Sequence, residues 1–211
     1  MQAIRFLAHF NGRQARRRNE GSCSPARVGP NAAIQLANAL TELQGEASAL
    51  GVFALAGEEA LYRNPPGEML DEARAAALFN ALFSSLPDPA AGRVARHAGR
   101  LTADYILANR IPRLFRVLLP LLPSPLSSRL LLKAIERHAW TFAGSGRVTT
   151  SGGRPRKIDI QDNPLMMPNC PWHKGVFERL FEVLVSGQTE VVHVQDDEKQ
   201  SHDSRFELWL S

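Results

Sequence analysis

Apolar residues recur at helical steps through the first two thirds of this chain and alternate at strand steps through the last third. Ile34, Leu36, Ala37, Leu40 and Leu43 form a stripe that predicts a helix over residues 31–43, with Pro30 in its first turn and Gly45 as its stop. A second helix is predicted over 49–56, and an alanine-rich one over 68–86, ended by Pro87-Asp88-Pro89. A further helix over 92–109 aligns His97, Leu101, Tyr105 and Ala108 along one face. Arg110-Ile111-Pro112 breaks it; a short helix then runs to Leu119, and another is predicted over 126–140. Beyond Phe142 the period changes. Residues 144–157 are rich in Gly, Ser, Thr and Arg, as suits a hairpin, and 157–161, 190–195 and 205–210 read as strands. Between them lies an amphipathic helix over 172–185, with Val176, Phe177, Leu180, Phe181 and Leu184 on its buried side. Helices first and strands later predict an α+β fold: a helical N-terminal portion, then a small antiparallel sheet with one helix packed on it.

At 211 residues, with 44% hydrophobic and 22% charged positions, the chain can bury a sizeable core and is not a disordered polymer. The net charge of +4 is unevenly spread. Residues 1–30 carry six arginines against Glu20, so the rest of the chain is close to neutral. The basic balance therefore describes a tail and argues against a nucleic-acid-binding face. Residues 1–24 read as a flexible basic leader, and 25–211 as one domain. Arg16, Arg17 and Arg18 are suited to an anionic lipid or an acidic partner. The leucine-rich run 111–135 is interrupted by four prolines and three arginines, and no apolar stretch reaches the roughly 20 residues needed to span a bilayer. Two cysteines, Cys23 and Cys170, do not make a disulfide scaffold. A cytoplasmic, soluble protein able to sit on a membrane surface is the expectation.

Candidate chemistry falls in two places. Cys170, His193, Asp196 and Ser204 are spaced like the corners of a partly rewritten metal site. The first three can ligate zinc; serine is a poor ligand. The second place is the run from Arg137 to Gly146, where His138, Trp140 and Phe142 precede a glycine-rich turn. Flat aromatic ligands stack on such rings, and an imidazole can hold a central metal ion or a carboxylate. A helix end with core aromatics is the competing reading. Tyr105 and Phe115 are candidate further walls of an apolar pocket, Arg110 a carboxylate clamp at its mouth, and His97 a second candidate ligand. Glu178 and Glu182, one turn apart, could serve as acid and base but read better as a solvated helix face, and His173 reads as a surface residue. No glycine-rich nucleotide fingerprint, phosphate loop, nucleophile elbow or cysteine cluster is present, so no nicotinamide, flavin or iron–sulfur site is visible. Side chains alone do not supply hydride.

Several runs in order, 26–32, 102–107 with 110–112, 138–144 and 177–181, resemble the bacteriochlorophyll 4-vinyl reductase family of photosynthetic bacteria, the J-type proteins of the bacteriochlorophyll gene cluster. The resemblance covers nearly the whole chain from Ala26 to Leu210. It implies a 4-vinyl reductase-like ligand-binding module in the C-terminal half, often dimeric, and a metal corner of Cys, Glu, Cys and Cys. Here those positions hold Cys170, His193, Asp196 and Ser204, so the implied zinc site is degenerate and weak or empty. The resemblance further implies action at the divinyl-to-monovinyl step on a Mg-tetrapyrrole such as divinyl protochlorophyllide or chlorophyllide, alongside other bacteriochlorophyll biosynthesis enzymes. Binding or delivering the pigment fits the residues better than reducing it. A self-sufficient vinyl reductase and a small-aromatic sensor or adaptor are the alternatives.

Overall fold

The computed structural model describes residues 26–194 and 202–210. The basic leader at 1–24 and Asp196 lie outside the described residues. The fold is α+β, as the change of period predicts. Its elements are β1 (Arg27–Val28), α1 (Asn31–Gln44), α2 (Glu46–Leu55), α3 (Glu59–Arg63), β2 (Leu70–Asp71), α4 (Glu72–Ser85), α5 (Asp88–Asn109), α6 (Arg113–Leu118), a 3-10 turn at Leu119–Leu121, α7 (Ser124–Arg137), α8 (Trp140–Ala143), β3 (Arg147–Ser151), β4 (Arg156–Gln161), α9 (Pro171–Leu184), β5 (Thr189–Val194) and β6 (Ser204–Leu210).

Beyond the short elements β1, β2 and α3, which the sequence reading did not anticipate, the differences sit at element ends and have local causes. The alanine-rich helix begins at Glu72 because Leu70 and Asp71 pair antiparallel with Val28 and Arg27. The Asp71 side chain then caps it, accepting from Ala73 N at 2.8 Å. The helix expected from residue 92 starts at Asp88, because a proline in a first turn lacks only an N–H that has no helical partner anyway. Pro125 plays the same part in α7, which ends at Arg137 with His138 as its C-cap.

β3, β4, β6 and β5 form an antiparallel sheet in that order. Alternation sends Ile158, Ile160, Phe206, Leu208 and Val191 inward, where they are buried. The expected apolar stripe of α9 lies buried between this sheet and the 22-residue helix α5. Phe177 meets Phe206 edge-on at 5.2 Å and Phe142 at 5.6 Å, joining sheet, α9 and α8 in one core.

α5 and α9 run in the same direction at close quarters. Gly99 and Gly175 remove the side chains at the crossing: a Cβ on either would fall 2.1 Å from a backbone oxygen of the other helix. Ion pairs flank the seam. Arg96 Nε donates to Glu178 at 2.8 Å, Arg100 grips Glu182 with two bonds of 3.0 and 2.8 Å, and Arg179 reaches Asp104 at 2.7 Å. Glu178 and Glu182 are thus not the solvated face expected from sequence. Glu178 is only 2% exposed; burial raises its pKa, against the pull of Arg96. Glu182 is less buried, and the Arg100 hydrogen bonds hold its carboxyl low.

Candidate functional site

Two of the four residues expected at a metal corner, Cys170 and Ser204, lie in a buried polar network. Cys170 is buried at the N-cap of α9, with its backbone at φ 41°. Its Sγ lies 3.3 Å from Ser204 Oγ, and Ser204 Oγ accepts from Asn163 Nδ2 at 3.0 Å. Asn163 Oδ1 in turn accepts from Leu165 N at 3.0 Å. Burial pushes the Cys170 thiol up, away from the thiolate a metal requires. His193 packs its ring 5.2 Å from Phe206, and both its nitrogens are buried with no hydrogen-bond partner among the described residues. Burial lowers its pKa, with Lys174 adding to the shift. Among the described residues no three His, Cys, Asp or Glu side chains are grouped to hold a metal ion. Cys170 and Ser204 are brought together; the position of Asp196 lies outside the description.

His173, expected on the surface, is instead fully buried. Its Nε2 donates to the Phe142 carbonyl at 3.3 Å, and its ring packs against Trp172, Phe177 and Phe206. Desolvation pushes its pKa down to about 3, so it is a neutral core residue. Its position two residues after Pro171 could have signalled this, because the stripe of Val176, Phe177, Leu180 and Leu184 extends back to it at helical steps.

The aromatic patch divides between core and surface. Phe142 is buried and Trp140 is 49% exposed. His138 ends α7 with its backbone N–H on the Ala134 carbonyl at 3.0 Å; partial burial, then Arg137, lowers its pKa. The following turn is tied to the N-terminal segment. Gly29 N donates to Thr141 O at 2.7 Å, and Glu72 accepts from Ser145 N and Oγ at 2.7 and 2.8 Å. Two of the sequence runs that carried the family resemblance, 26–32 and 138–144, therefore meet through the backbone.

None of the six candidate pigment contacts lines either of the two grooves described below. Tyr105 and Phe115 are half-buried, Arg110 is exposed at the end of α5, and no hydrogen bond, ion pair or ring contact links any two of Tyr105, Arg110, Phe115, His138, Trp140 and His97 among the described residues. His97 faces α1, where its Nε2 lies 2.7 Å from Glu42 Oε2. Glu42 lines an open groove of about 410 Å³ between α1 and α3, with Ile34, Ala37, Leu61 and Tyr62 as its apolar walls. Thr41 Oγ1 and Tyr62 OH, 3.2 Å apart, form its polar floor. This groove was missed in the sequence, because α3 is a single short helix without a buried residue to give it periodicity. A second groove of about 250 Å³ is lined by Arg93, Arg96 and Lys174 with Phe83 and Pro171.

No family model matches the sequence. The chain is 40% identical over 188 residues to the bacteriochlorophyll synthase 23 kDa chain of Cereibacter sphaeroides, covering 86% of this chain and 90% of that one. It is likewise 40% identical over 173 residues to the protein of the same name from Rhodobacter capsulatus, covering 80% of each. Both names concern bacteriochlorophyll synthesis and neither specifies vinyl reduction. A solved structure from a study of heme distortion in the H-NOX family superposes over 85% of this chain and 92% of its own, with a TM-score of 0.54 at 13% identity. That likeness concerns the fold alone.

Proposed function

The chain belongs to the family of the bacteriochlorophyll synthase 23 kDa chains, and from that membership we propose that it serves bacteriochlorophyll biosynthesis by binding a vinyl-bearing Mg-tetrapyrrole and presenting it for divinyl-to-monovinyl reduction. The carrying observation is the coincidence of a family named for bacteriochlorophyll synthesis with a fold that superposes on a structure studied for its heme. Since side chains do not supply hydride, the electrons in this reading come from a partner enzyme. The protein's own part is to bind and orient the pigment.

The α1–α3 groove beside His97 is the favoured seat. It has apolar walls, a small number of placed polar groups and a size within the usual range of ligand sites. Glu42, which lines the groove, engages Nε2 of His97 and so holds the imidazole at the groove's margin. Magnesium is part of the cargo here, and no resident metal is required. Zinc at Cys170, His193 and Asp196 would be weak, since the buried thiol resists ionisation and the fourth corner is serine.

Spectral titration with divinyl protochlorophyllide, with and without NADPH, tests the proposal. Stoichiometric binding with a shifted absorption band, no monovinyl product, and loss of the shift in His97→Ala are expected. Monovinyl product from the pure protein would establish the self-sufficient reductase instead. Binding lost in Trp140→Ala but kept in His97→Ala would move the pigment to the surface around His138, Tyr105 and Phe115. Tight binding of small aromatics without pigment binding would favour the sensor.

A further inference from the structure

The segment from Arg110 to Trp140 presents apolar side chains outward on two successive short helices. On α6 and the 3-10 turn, Leu114, Val117 and Leu121 are 61%, 63% and 76% exposed, and they recur at the helical steps of three and four. On α7, Ser127, Ser128, Leu131, Leu132 and Ile135 form the buried face, while Leu126 and Leu130, one turn apart, are exposed on the other. Scattered exposed leucines are ordinary, but this many within one stretch of two helices joined by a 3-10 turn mark a surface that contacts something.

The charges in the same stretch say what that is. From Tyr105 to Ile135 there are five cations, Arg110, Arg113, Arg116, Arg129 and Lys133, and not one acidic residue. None of the five forms an ion pair among the described residues, whereas the arginines of the α5–α9 seam are all paired. Leucines flanked by unneutralised cations, with a half-exposed Trp140 at the end of the segment, match a bilayer interface. There the apolar tips enter the acyl boundary, the cations meet anionic headgroups, and an indole sits at headgroup level. A second copy fits less well, because a two-fold contact would set the same five cations against themselves. No helix among the described residues is long and apolar enough to cross a membrane, and the prolines at 112, 120, 123 and 125 keep these helices short.

We infer that α6, the 3-10 turn and the outer face of α7 form a docking surface for an anionic lipid bilayer, on which the protein lies without spanning it. This goes beyond the pigment-binding reading and does not depend on it.

Co-sedimentation of the full chain with two vesicle types is the test. One is pure phosphatidylcholine, the other equal parts phosphatidylcholine and phosphatidylglycerol. The wild type should sediment with the anionic vesicles, be released by added salt, and ignore the neutral ones. The triple variant Leu114→Ser, Val117→Ser, Leu121→Ser changes only exposed positions and should keep its circular dichroism spectrum. Its partition onto anionic vesicles should fall by roughly tenfold or more. The pair Arg113→Glu and Lys133→Glu should do the same. Binding by both variants equal to wild type would overturn the inference and assign the contact to the arginines of the leader. So would a wild type that binds neither vesicle. A wild-type dimer in sedimentation equilibrium that the triple serine variant converts to monomer would also overturn it, in favour of self-association.

Discussion

Gly99 and Gly175 face each other across the α5–α9 crossing: a Cβ on Gly99 would lie 2.1 Å from the Trp172 carbonyl oxygen, and one on Gly175 would lie 2.1 Å from that of Arg96. Two backbones approach this closely only where neither carries a side chain. The contact sets how deeply α9 sits against α5, and with it the positions of His173, Phe177 and the sheet they support.

Alanine at either glycine should therefore destabilise the fold by about 3 kcal/mol or more, because backbone atoms cannot yield as a flexible side chain can. Gly92 lies in the same helix with open space around its missing Cβ, so Gly92→Ala should instead stabilise by about 0.5–1 kcal/mol. Urea unfolding of the three variants is the measurement. Equal effects at positions 92 and 99 would show that the helix pair is looser than described.

His173 predicts a pH dependence of definite sign. Its folded pKa of about 3 lies below the ordinary histidine value of 6.5. Between those values the unfolded chain takes up a proton that the folded one refuses, so acid favours unfolding. The stability from a neutral His173 is complete above the ordinary value and is lost as pH falls toward 3, at up to about 1.4 kcal/mol per pH unit. His193 and His138, both lowered by burial, act with the same sign. Thermal unfolding from pH 7 to 4 should thus show a flatter fall in Tm for His173→Phe than for wild type. Parallel curves would mean that another group titrates.

Cys170 should be inert in the native state. In a Cys23→Ser background it is the sole thiol, and its burial and raised pKa should slow labelling by a disulfide reagent by orders of magnitude until urea is added. Rapid labelling at pH 8 would contradict the closed Cys170–Ser204–Asn163 network. The same protein prepared without added zinc should hold clearly less than one zinc per chain by elemental analysis.

Glu72 and Gly144 should be energetically coupled. Gly144 adopts φ +54°, and a Cβ there would meet Glu72 Oε2 at 2.2 Å while the same carboxylate holds Ser145. Gly144→Ala should cost about 1–3 kcal/mol, through backbone strain and displacement of that carboxylate. In a Glu72→Ala background the same change should cost less, since only the strain remains, and a double-mutant cycle measures the difference. Strict additivity would remove Glu72 as the anchor of this turn.

The elements that were legible in the sequence are those whose partners impose a regular period. Leu36 and Leu40 on α1, Phe177, Leu180 and Leu184 on α9, and Ile158 and Ile160 on β4 each announce a buried face, and with it the α+β order, because a single repeating geometry places every second or every third to fourth residue against the core. Short pairings leave no such trace. β1 and β2 are two residues each, and their existence rests on Arg27 and Val28 meeting Asp71 and Leu70 across more than forty positions of chain.

Polar residues were the least legible, for the same reason. A glutamate or cysteine carries no sign of its environment until another segment arrives, and His173 shows only its place on the stripe of α9, not what encloses it. Arg96 makes Glu178 a buried partner, Phe142 and Phe206 enclose His173, and Ser204, itself held by Asn163, gives the Cys170 thiol a hydrogen-bond partner. The sequence by itself determined the class of fold, the core faces of its long elements and a stretch of cations without acids. Only the tertiary structure decided which of the chemically capable residues are buried, which are paired and which face solvent, because desolvation and pairing are properties of neighbours distant along the chain.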